Sequence, residues 1–425
     1  MLRNDTVLFF KGIANKFIYF LKWVVVSALT GVAVGLVGTA FYYGMQKVTE
    51  FRMQHPAVIL GLPAAGIVII FLYHLARRDN DKGTNSVLSA IRSEDQLSFV
   101  MAPLIFCSTI LTHLFGGSAG REGAALQMGG SIGNWLGKIF RMKNSDLHVM
   151  IMCGMSACFA ALFGTPMAAA IFSMEVVSVG IMYYSALVPC ALSALIASGI
   201  ARALGASGEA MVIASIPEFT WVTGGKTLLL AMLCGVLSVV FCVTLHAAAA
   251  GGRKLVPNPY LRIGLAGAVV VALTAILQTA DYLGAGMNII EGTMEGMVKP
   301  EAFLLKLVFT AVTLGAGFKG GEIVPSFFVG ATFGCMMGGL LGLSPSLCAA
   351  VGMTAVFCGV TNSPITSLLI SLELFGMEAF PYFLLGVAVS YMLSGYQSLY
   401  HTQKIMYSKF KAEYMGQKEQ DGSGI

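Results

Sequence analysis

The sequence predicts an all-α integral membrane protein built from two related halves with broken helices, and three observations carry that prediction. Charged residues make up only 11% of the 425 positions against 56% hydrophobic, whereas a soluble globular chain carries about 25% charged residues. Mean hydropathy is +0.79, and uncharged apolar runs of spanning length recur from end to end. A pattern of glycine, proline, serine and glutamate in the first half returns in the second at a nearly constant offset.

In chain order, residues 1–22 are expected to form an amphipathic interfacial or cytoplasmic segment. The apolar run after it exceeds twenty uncharged residues and has no small-residue cleavage site, so it is a span rather than a secretory signal. Further runs at 57–73, 228–245 and 380–400 match that at 23–45, and roughly a dozen such segments fill the chain. One membrane domain over 23–405 follows, with halves near 23–205 and 219–405. The polar tail, 406–425, is too short for a regulatory domain and is expected to be disordered beyond Ser408.

Net charge is +5, yet basic residues cluster at Arg77-Arg78/Lys82, Lys138/Arg141/Lys143, Arg253-Lys254/Arg262 and Lys404/Lys409/Lys411. Those loops and both termini are predicted to face the cytoplasm, which makes this a multi-pass protein of the cell membrane. Charge is too scarce elsewhere for a nucleic-acid surface. Nine cysteines lie in apolar segments without C-x-x-C spacing and read as buried small hydrophobes, not as disulfides or a metal site. No phosphate loop or dinucleotide fingerprint occurs, so neither an enzyme, a cofactor nor an ATP-driven pump is indicated.

The repeat is the most informative pattern. Gly154-Met155-Ser156-Ala157-Cys158-Phe159 is echoed by Gly352-Met353-Thr354-Ala355-Val356-Phe357, Pro166 by Pro364, Ser173 by Ser371 and Glu175 by Glu373, each pair 198 residues apart. Upstream, Gly120-Arg121-Glu122-Gly123 pairs with Gly320-Gly321-Glu322-Ile323, and Gly130 with Gly330, at an offset of 200. Related halves are a hallmark of transporters whose substrate site lies at the midplane.

Glycine-rich breaks at residues 116–123 and 315–325 each precede a small-residue helical pattern, placing a helix N-terminus at membrane depth. A third start follows Lys82-Gly83, at Thr84-Asn85-Ser86. Free N–H groups and the positive dipole end at a shared centre suit an anion. Glu122 and Glu322 sit at two of these starts, where a buried carboxylate is costly unless paired, protonated or functional. Such a carboxylate competes with an anion while ionised and leaves once protonated; the plainer reading is helix capping, and for Glu322 an ion pair with Lys319. Glu175 and Glu373 read as capping or interfacial ion-pair residues, and His113 as a structural histidine. The small-residue stripes at 129–133 and 330–334 read as close helix packing.

Gly120-Arg121-Glu122-Gly123-Ala124 closely resembles the G-R-E-G-P signature of the CLC family of anion channels and proton-coupled antiporters. The resemblance runs through the block before Ser326-Phe327-Phe328 to Gly395-Tyr396-Gln397-Ser398-Leu399-Tyr400. It implies a homodimer in the bilayer, each subunit with its own pore between two inverted halves. By position, Glu122 matches the external gating glutamate, and Tyr400 the tyrosine whose hydroxyl donates to the anion, with Tyr396 as the alternative one turn away. Gly120, Arg121, Gly123 and Ala124 from one break and Gly321, Ile323 and Val324 from the other would line the anion site, with Thr84 and Asn85 standing where the family's G-S-G-I-P block is usual.

Two departures point to a branch. An acid, Glu322, occupies the second-half block where an apolar residue is usual, and Val176 stands where chloride/proton antiporters keep their inner glutamate. The combination is similar to the bacterial fluoride/proton antiporter branch, some members of which have a hydroxyl residue at the position of Val324. The expectation is fluoride export coupled to proton import, with Glu122 and Glu322 as gating and proton-transfer groups; fluoride needs concentrated donors to replace its water. Ring edges of Phe318, Phe327 and Phe328 are candidate helpers, core packing being the plainer role. The alternatives are a passive chloride channel of the same family and, from another class, a non-transporting membrane scaffold or receptor subunit.

Overall fold

The computed structural model describes residues 2–79, 81–93, 97–206, 208 and 211–415, with side chains from residue 12 onward. Sixteen α-helices occur among them. The first half holds α1 (Leu2–Gln54), α2 (Leu62–Leu75), α3 (Thr84–Arg92), α4 (Met101–Leu114), α5 (Glu122–Ile139), α6 (Asn144–Phe163), α7 (Pro166–Glu175) and α8 (Leu187–Ala203). The second holds α9 (Trp221–Leu255), α10 (Pro259–Leu277), α11 (Met287–Met294), α12 (Ala302–Ala316), α13 (Ile323–Leu341), α14 (Pro345–Thr361), α15 (Pro364–Phe375) and α16 (Phe380–Leu393). Seven helical stretches are long and apolar enough to cross a membrane, and five shorter apolar helices accompany them.

The boundary expected at residue 22 is not a break, because α1 runs through it, yet side chains from 12 to 22 are exposed and burial begins at Trp23. The run expected to span 380–400 ends as a helix at Leu393, and Tyr400 lies in non-helical chain. The tail also departs from expectation as far as it is described. Residues 404–405 pair in parallel with 178–179, Tyr407 bridges Tyr414, and Lys409 donates to Tyr391 O at 3.0 Å and Ser394 Oγ at 2.9 Å. Residues 416–425 fall outside the described residues.

The halves correspond helix by helix. Short α3 and α11 each follow a glycine with positive φ, Gly83 at 63° and Gly286 at 80°, a conformation that only glycine adopts without strain. Helices α5 and α6 approach until their backbones touch: a Cβ on Gly129 would stand 2.2 Å from the Gly154 carbonyl oxygen. Helices α13 and α14 repeat this, with 2.4 Å from Gly330 to the Gly352 oxygen. Small residues thus set the helix spacing, as they do generally in membrane bundles.

This geometry corrects the repeat register around the breaks. Gly129 and Gly133 are the counterparts of Gly330 and Gly334, an offset of 201, while Gly130 packs on Val87 instead. Helix α5 begins at Glu122 and α13 at Ile323, again 201 apart. Glu322 therefore corresponds to Arg121 rather than to Glu122: it is the N-cap of α13, and Glu122 the first residue of α5.

Where the halves meet they run antiparallel. Gly120 N–H donates to Gly321 O at 2.7 Å and Gly321 N–H to Gly120 O at 2.8 Å. Away from that crossing, Glu175 at the end of α7 caps the start of α15, accepting from Ile365 N–H, Thr366 N–H and the Thr366 hydroxyl at 3.0, 2.8 and 2.6 Å. Glu373 on α15 returns the favour to α7, accepting from Met167 and Ala168 N–H, both at 2.9 Å. Proline opens each of these helices and has no N–H, so the carboxylate takes the next two amides. Capping, not ion pairing, is their role. Eight of the nine cysteines are buried, Cys107 on α4 being exposed, and all are free thiols.

Candidate functional site

The crossing of the two breaks fixes the site. It holds the first turns of α5 and α13 close together, so that their unpaired N–H groups share one neighbourhood. Side chains at the crossing must be absent: a Cβ on Gly123 would lie 2.9 Å from Gly321 Cα, and one on Gly320 2.5 Å from Ala119 Cβ. Gly120, Gly123, Ala124, Gly321, Ile323 and Val324 are all buried here and contribute backbone. Pro325 supplies no N–H, so Ile323 and Val324 carry the free amides of the α13 start.

Glu122 sits in the middle of these donors, wholly buried. Its Oε2 accepts from Arg121 N–H at 2.9 Å, and the amides of Glu122 itself and of Val324 also reach the carboxyl. One acid thus lies within electrostatic reach of amides from both halves. On its other side Arg121 Nε lies 3.6 Å from Oε1, which makes no hydrogen bond among the described residues. Arg121 is steadied by the Tyr42 ring, 5.3 Å away, and borders a small internal void of about 10 Å³ together with Phe163, Phe327 and Met353.

Glu322 occupies the opposite aspect. It is half-buried and lines a cavity of about 880 Å³ whose lining includes Lys82, Arg253 and Arg262 from two of the basic clusters, Arg253 lying at the end of α9 and Arg262 in the first turn of α10. Glu122 does not line it. Lys319 does not serve Glu322 as its ion-pair partner, since its Nζ lies 3.3 Å from Asp81 Oδ2 and 4.0 Å from the Tyr73 ring centre. Thr84 and Asn85 also line the cavity at the start of α3. The Thr84 hydroxyl is 3.5 Å from Gly123 O, beside α5, and Gln127 Nε2 bridges to both, at 3.4 and 3.1 Å. Asn85 Oδ1 also accepts from Thr402 N–H and the Thr402 hydroxyl, both at 3.1 Å, fastening the segment that carries Tyr400.

Tyr400 itself is buried, lines the cavity, and lies within electrostatic reach of both Glu322 and Glu122. Its hydroxyl makes no hydrogen bond among the described residues. Tyr396 is excluded from this place, since its hydroxyl meets Ser408 Oγ at 2.9 Å and its ring packs on Phe410. Gln403 locks the segment: Nε2 donates to Val176 O at 2.9 Å and Thr361 O at 2.8 Å, and Oε1 accepts from Asn362 and Ser398. Val176 is fully buried under it. Phe327 packs on Phe357 and Phe163, and Phe328 on Tyr282, so both belong to the core; Phe318 lines the cavity.

Sequence reasoning passed over Gln127, Gln403 and Lys306. Lys306 was detectable as a lysine within the apolar pattern of α12; it is wholly buried and donates to Gly284 O at 2.6 Å and Tyr282 O at 3.2 Å. His113 Nδ1 lies 2.9 Å from Thr109 O, while its buried Nε2 makes no hydrogen bond among the described residues.

Two antiparallel breaks, helix starts converging on a buried acid, and a cavity lined by Glu322 and Tyr400 on one side of them define a membrane protein that handles small anions. The family described as voltage gated chloride channel matches residues 64–395. The chain belongs to this CLC family. It is 34% identical over 398 residues to a chloride/fluoride channel protein of Pseudomonas syringae pv. tomato, covering 92% of this chain and 88% of that one. It is 28% identical to the H(+)/Cl(-) exchange transporter ClcA of Vibrio cholerae, covering 82% and 81%. Among solved structures, that of a CLC-type fluoride/proton antiporter superposes with a TM-score of 0.87 at 33% identity, covering 91% of this chain and 98% of that one.

Proposed function

We propose that this protein exports fluoride from the cytoplasm in exchange for protons. The observation that carries the reading is the Glu122 carboxyl, bonded to Arg121 N–H and reached by the Val324 amide of the other half. An ionised carboxylate there takes the donors that a small anion needs. Protonation removes its charge, frees those amides for the ion and lets one proton travel where the anion does not. Fluoride accepts hydrogen bonds more strongly than chloride, and amides, the Tyr400 hydroxyl and a protonated Glu322 are the donors at hand. The resemblance to the Pseudomonas syringae channel protein and to the fluoride/proton antiporter supports the choice of ion.

By the excess of lysine and arginine in its loops, the cavity side is the cytoplasmic one. Fluoride enters the cavity past Lys82, Arg253 and Arg262, meets Glu322 and Tyr400, and leaves past Glu122 and Arg121. The proton crosses in the other direction, from Glu122 to Glu322. Residues 23–405 form the transport domain, the termini lie in the cytoplasm, and two copies assemble in the cell membrane, each with its own path.

One observation favours a second reading, the passive channel of the same family: Val176 is sealed beneath Gln403 and offers no inner acid. Proteoliposomes separate the two. With equal fluoride on both sides and an imposed pH gradient, an exchanger accumulates fluoride uphill on the acidic side, whereas a channel leaves it at equilibrium, and either outcome is read with a fluoride electrode.

A further inference from the structure

The exchange reading leaves one gap: a proton that reaches Glu322 must still cross the cavity, and Val176 holds no acid to take it. Two histidines stand in that cavity. His246, on α9, and His401, next to Tyr400, are stacked with ring centres 3.8 Å apart and planes inclined by 29°. His246 is half-buried and His401 exposed to the cavity.

The hydrogen-bond pattern decides what this pair can do. His246 Nε2 lies 3.4 Å from Leu399 O. A carbonyl only accepts, so Nε2 carries the hydrogen and Nδ1 is the basic atom. Leu399 is in turn held by its N–H to Val360 O at 2.9 Å, so the bond is anchored to the segment that positions Tyr400. Face-to-face rings do not converge their nitrogens on one metal ion, and no cluster of three potential metal ligands occurs among the described residues. What remains is proton chemistry, to which imidazole is suited near neutral pH.

Charge around the pair limits it to one proton at a time. Two imidazolium rings at 3.8 Å would repel strongly. The cavity also presents Lys82, Lys319, Arg253 and Arg262, against Asp79, Asp81 and Glu322. Lys319 and Asp81 pair with each other, and Asp79 with His74, so Glu322 is the acid left to exchange a proton with the histidines. Tyr73 and Tyr400 complete the titratable lining.

We propose that the stacked His246–His401 pair is the inner proton carrier of the exchange cycle, relaying between Glu322 and the water at the basic-loop face. In the inward step the Glu322 O–H bond breaks, and an N–H bond forms at His246 Nδ1 through cavity water. The carboxylate is regenerated and the pair holds one positive charge. Loss of that N–H proton to bulk water restores the neutral pair. No other reactant is consumed. The proposal rests on the exchange reading above.

The test compares wild type with the double variant His246→Gln/His401→Gln and with His401→Phe in proteoliposomes, following fluoride and protons together at several pH values on the cavity side. The expected result is a loss of at least tenfold in coupled turnover for the double variant and a flattened cavity-side pH profile. Imidazole added on that side should restore the rate. His401→Phe keeps the stack but carries no proton on that ring, and is expected to alter the pH profile. A double variant with wild-type rate and profile overturns the inference and leaves exchange intact. Slow turnover that imidazole does not restore, together with wild-type behaviour of His401→Phe, assigns the pair to packing and also overturns it. Wild-type protein that moves fluoride without protons overturns the exchange reading itself.

Discussion

At the residue scale the controlling fact is that Glu122 accepts a short hydrogen bond from a backbone amide and meets its ion-pair partner, Arg121, only at longer range. Arg121 Nε approaches only to 3.6 Å, while Arg121 N–H bonds at 2.9 Å and the Val324 amide comes from the opposite half. A carboxylate held by amides can be exchanged for another anion of similar size; one locked to a buried guanidinium is not released without a large penalty. Tyr400 adds a hydroxyl to the same neighbourhood, which meets no other group among the described residues. Tyr400→Phe should therefore leave the fold intact and weaken fluoride binding about tenfold to a hundredfold, the ~1.5–3 kcal/mol of a hydrogen bond to a charged group. Calorimetric titration with fluoride measures it, and unchanged affinity would remove Tyr400 from the site. Glu122 and Glu322 stood out in the sequence as acids at helix starts in apolar surroundings, whereas Tyr400 was marked only by the family resemblance. The tasks of Asn85, Gln127 and Gln403 were not legible there, since each depends on a partner 43 to 317 residues away that only the fold supplies, as Gln127 does on Thr84, Gln403 on Val176 and Asn85 on Thr402.

Elements owe their placement to their ends. Helices α7 and α15 each begin with proline and receive a carboxylate from the other, Glu373 on Met167 and Ala168, Glu175 on Ile365 and Thr366. A carboxylate at a helix N-terminus also meets the favourable end of the dipole. Glu373→Ala strips two amides of their acceptor, and a loss of about 3 kcal/mol is expected. It should appear as a lower unfolding temperature in detergent with fluoride affinity unchanged. An unaltered transition would show that the caps are dispensable. The sequence revealed that these helices are paired, through prolines and glutamates at one offset, and it suggested capping. It misled at the breaks: the visible glutamates suggested an offset of 200, but backbone approach obeys 201, as Gly129 with Gly154 and Gly330 with Gly352 demonstrate. Glycine contacts are invisible in a sequence because nothing in the letter tells which carbonyl it faces.

For the whole molecule, the antiparallel meeting of two halves places two helix starts head to head, and everything else is arranged about that point. One side opens into a basic-lined cavity of about 880 Å³, and Glu122 closes the other with no exposed surface. A path with one acid at its closed end and another at its cavity end has the layout required for moving an anion and a proton in opposite directions. Composition and the repeat made the spans and halves legible, and the glycine-rich breaks made the centre legible. The folded tail was not, because it is held by bonds that only the fold brings together, such as those of Lys409 to Tyr391 and Ser394. The central claim is that the Glu122 carboxylate and fluoride exclude each other from one set of amides, and fluoride affinity measured against pH for wild type and Glu122→Gln tests it most directly. Linkage through one proton at Glu122 predicts that wild-type affinity rises as pH falls, approaching about tenfold per pH unit while Glu122 is ionised, and that the Gln variant loses this contribution and keeps only the dependence that Glu322 brings. Wild-type affinity independent of pH, or a Gln variant that keeps the full dependence, would contradict the account.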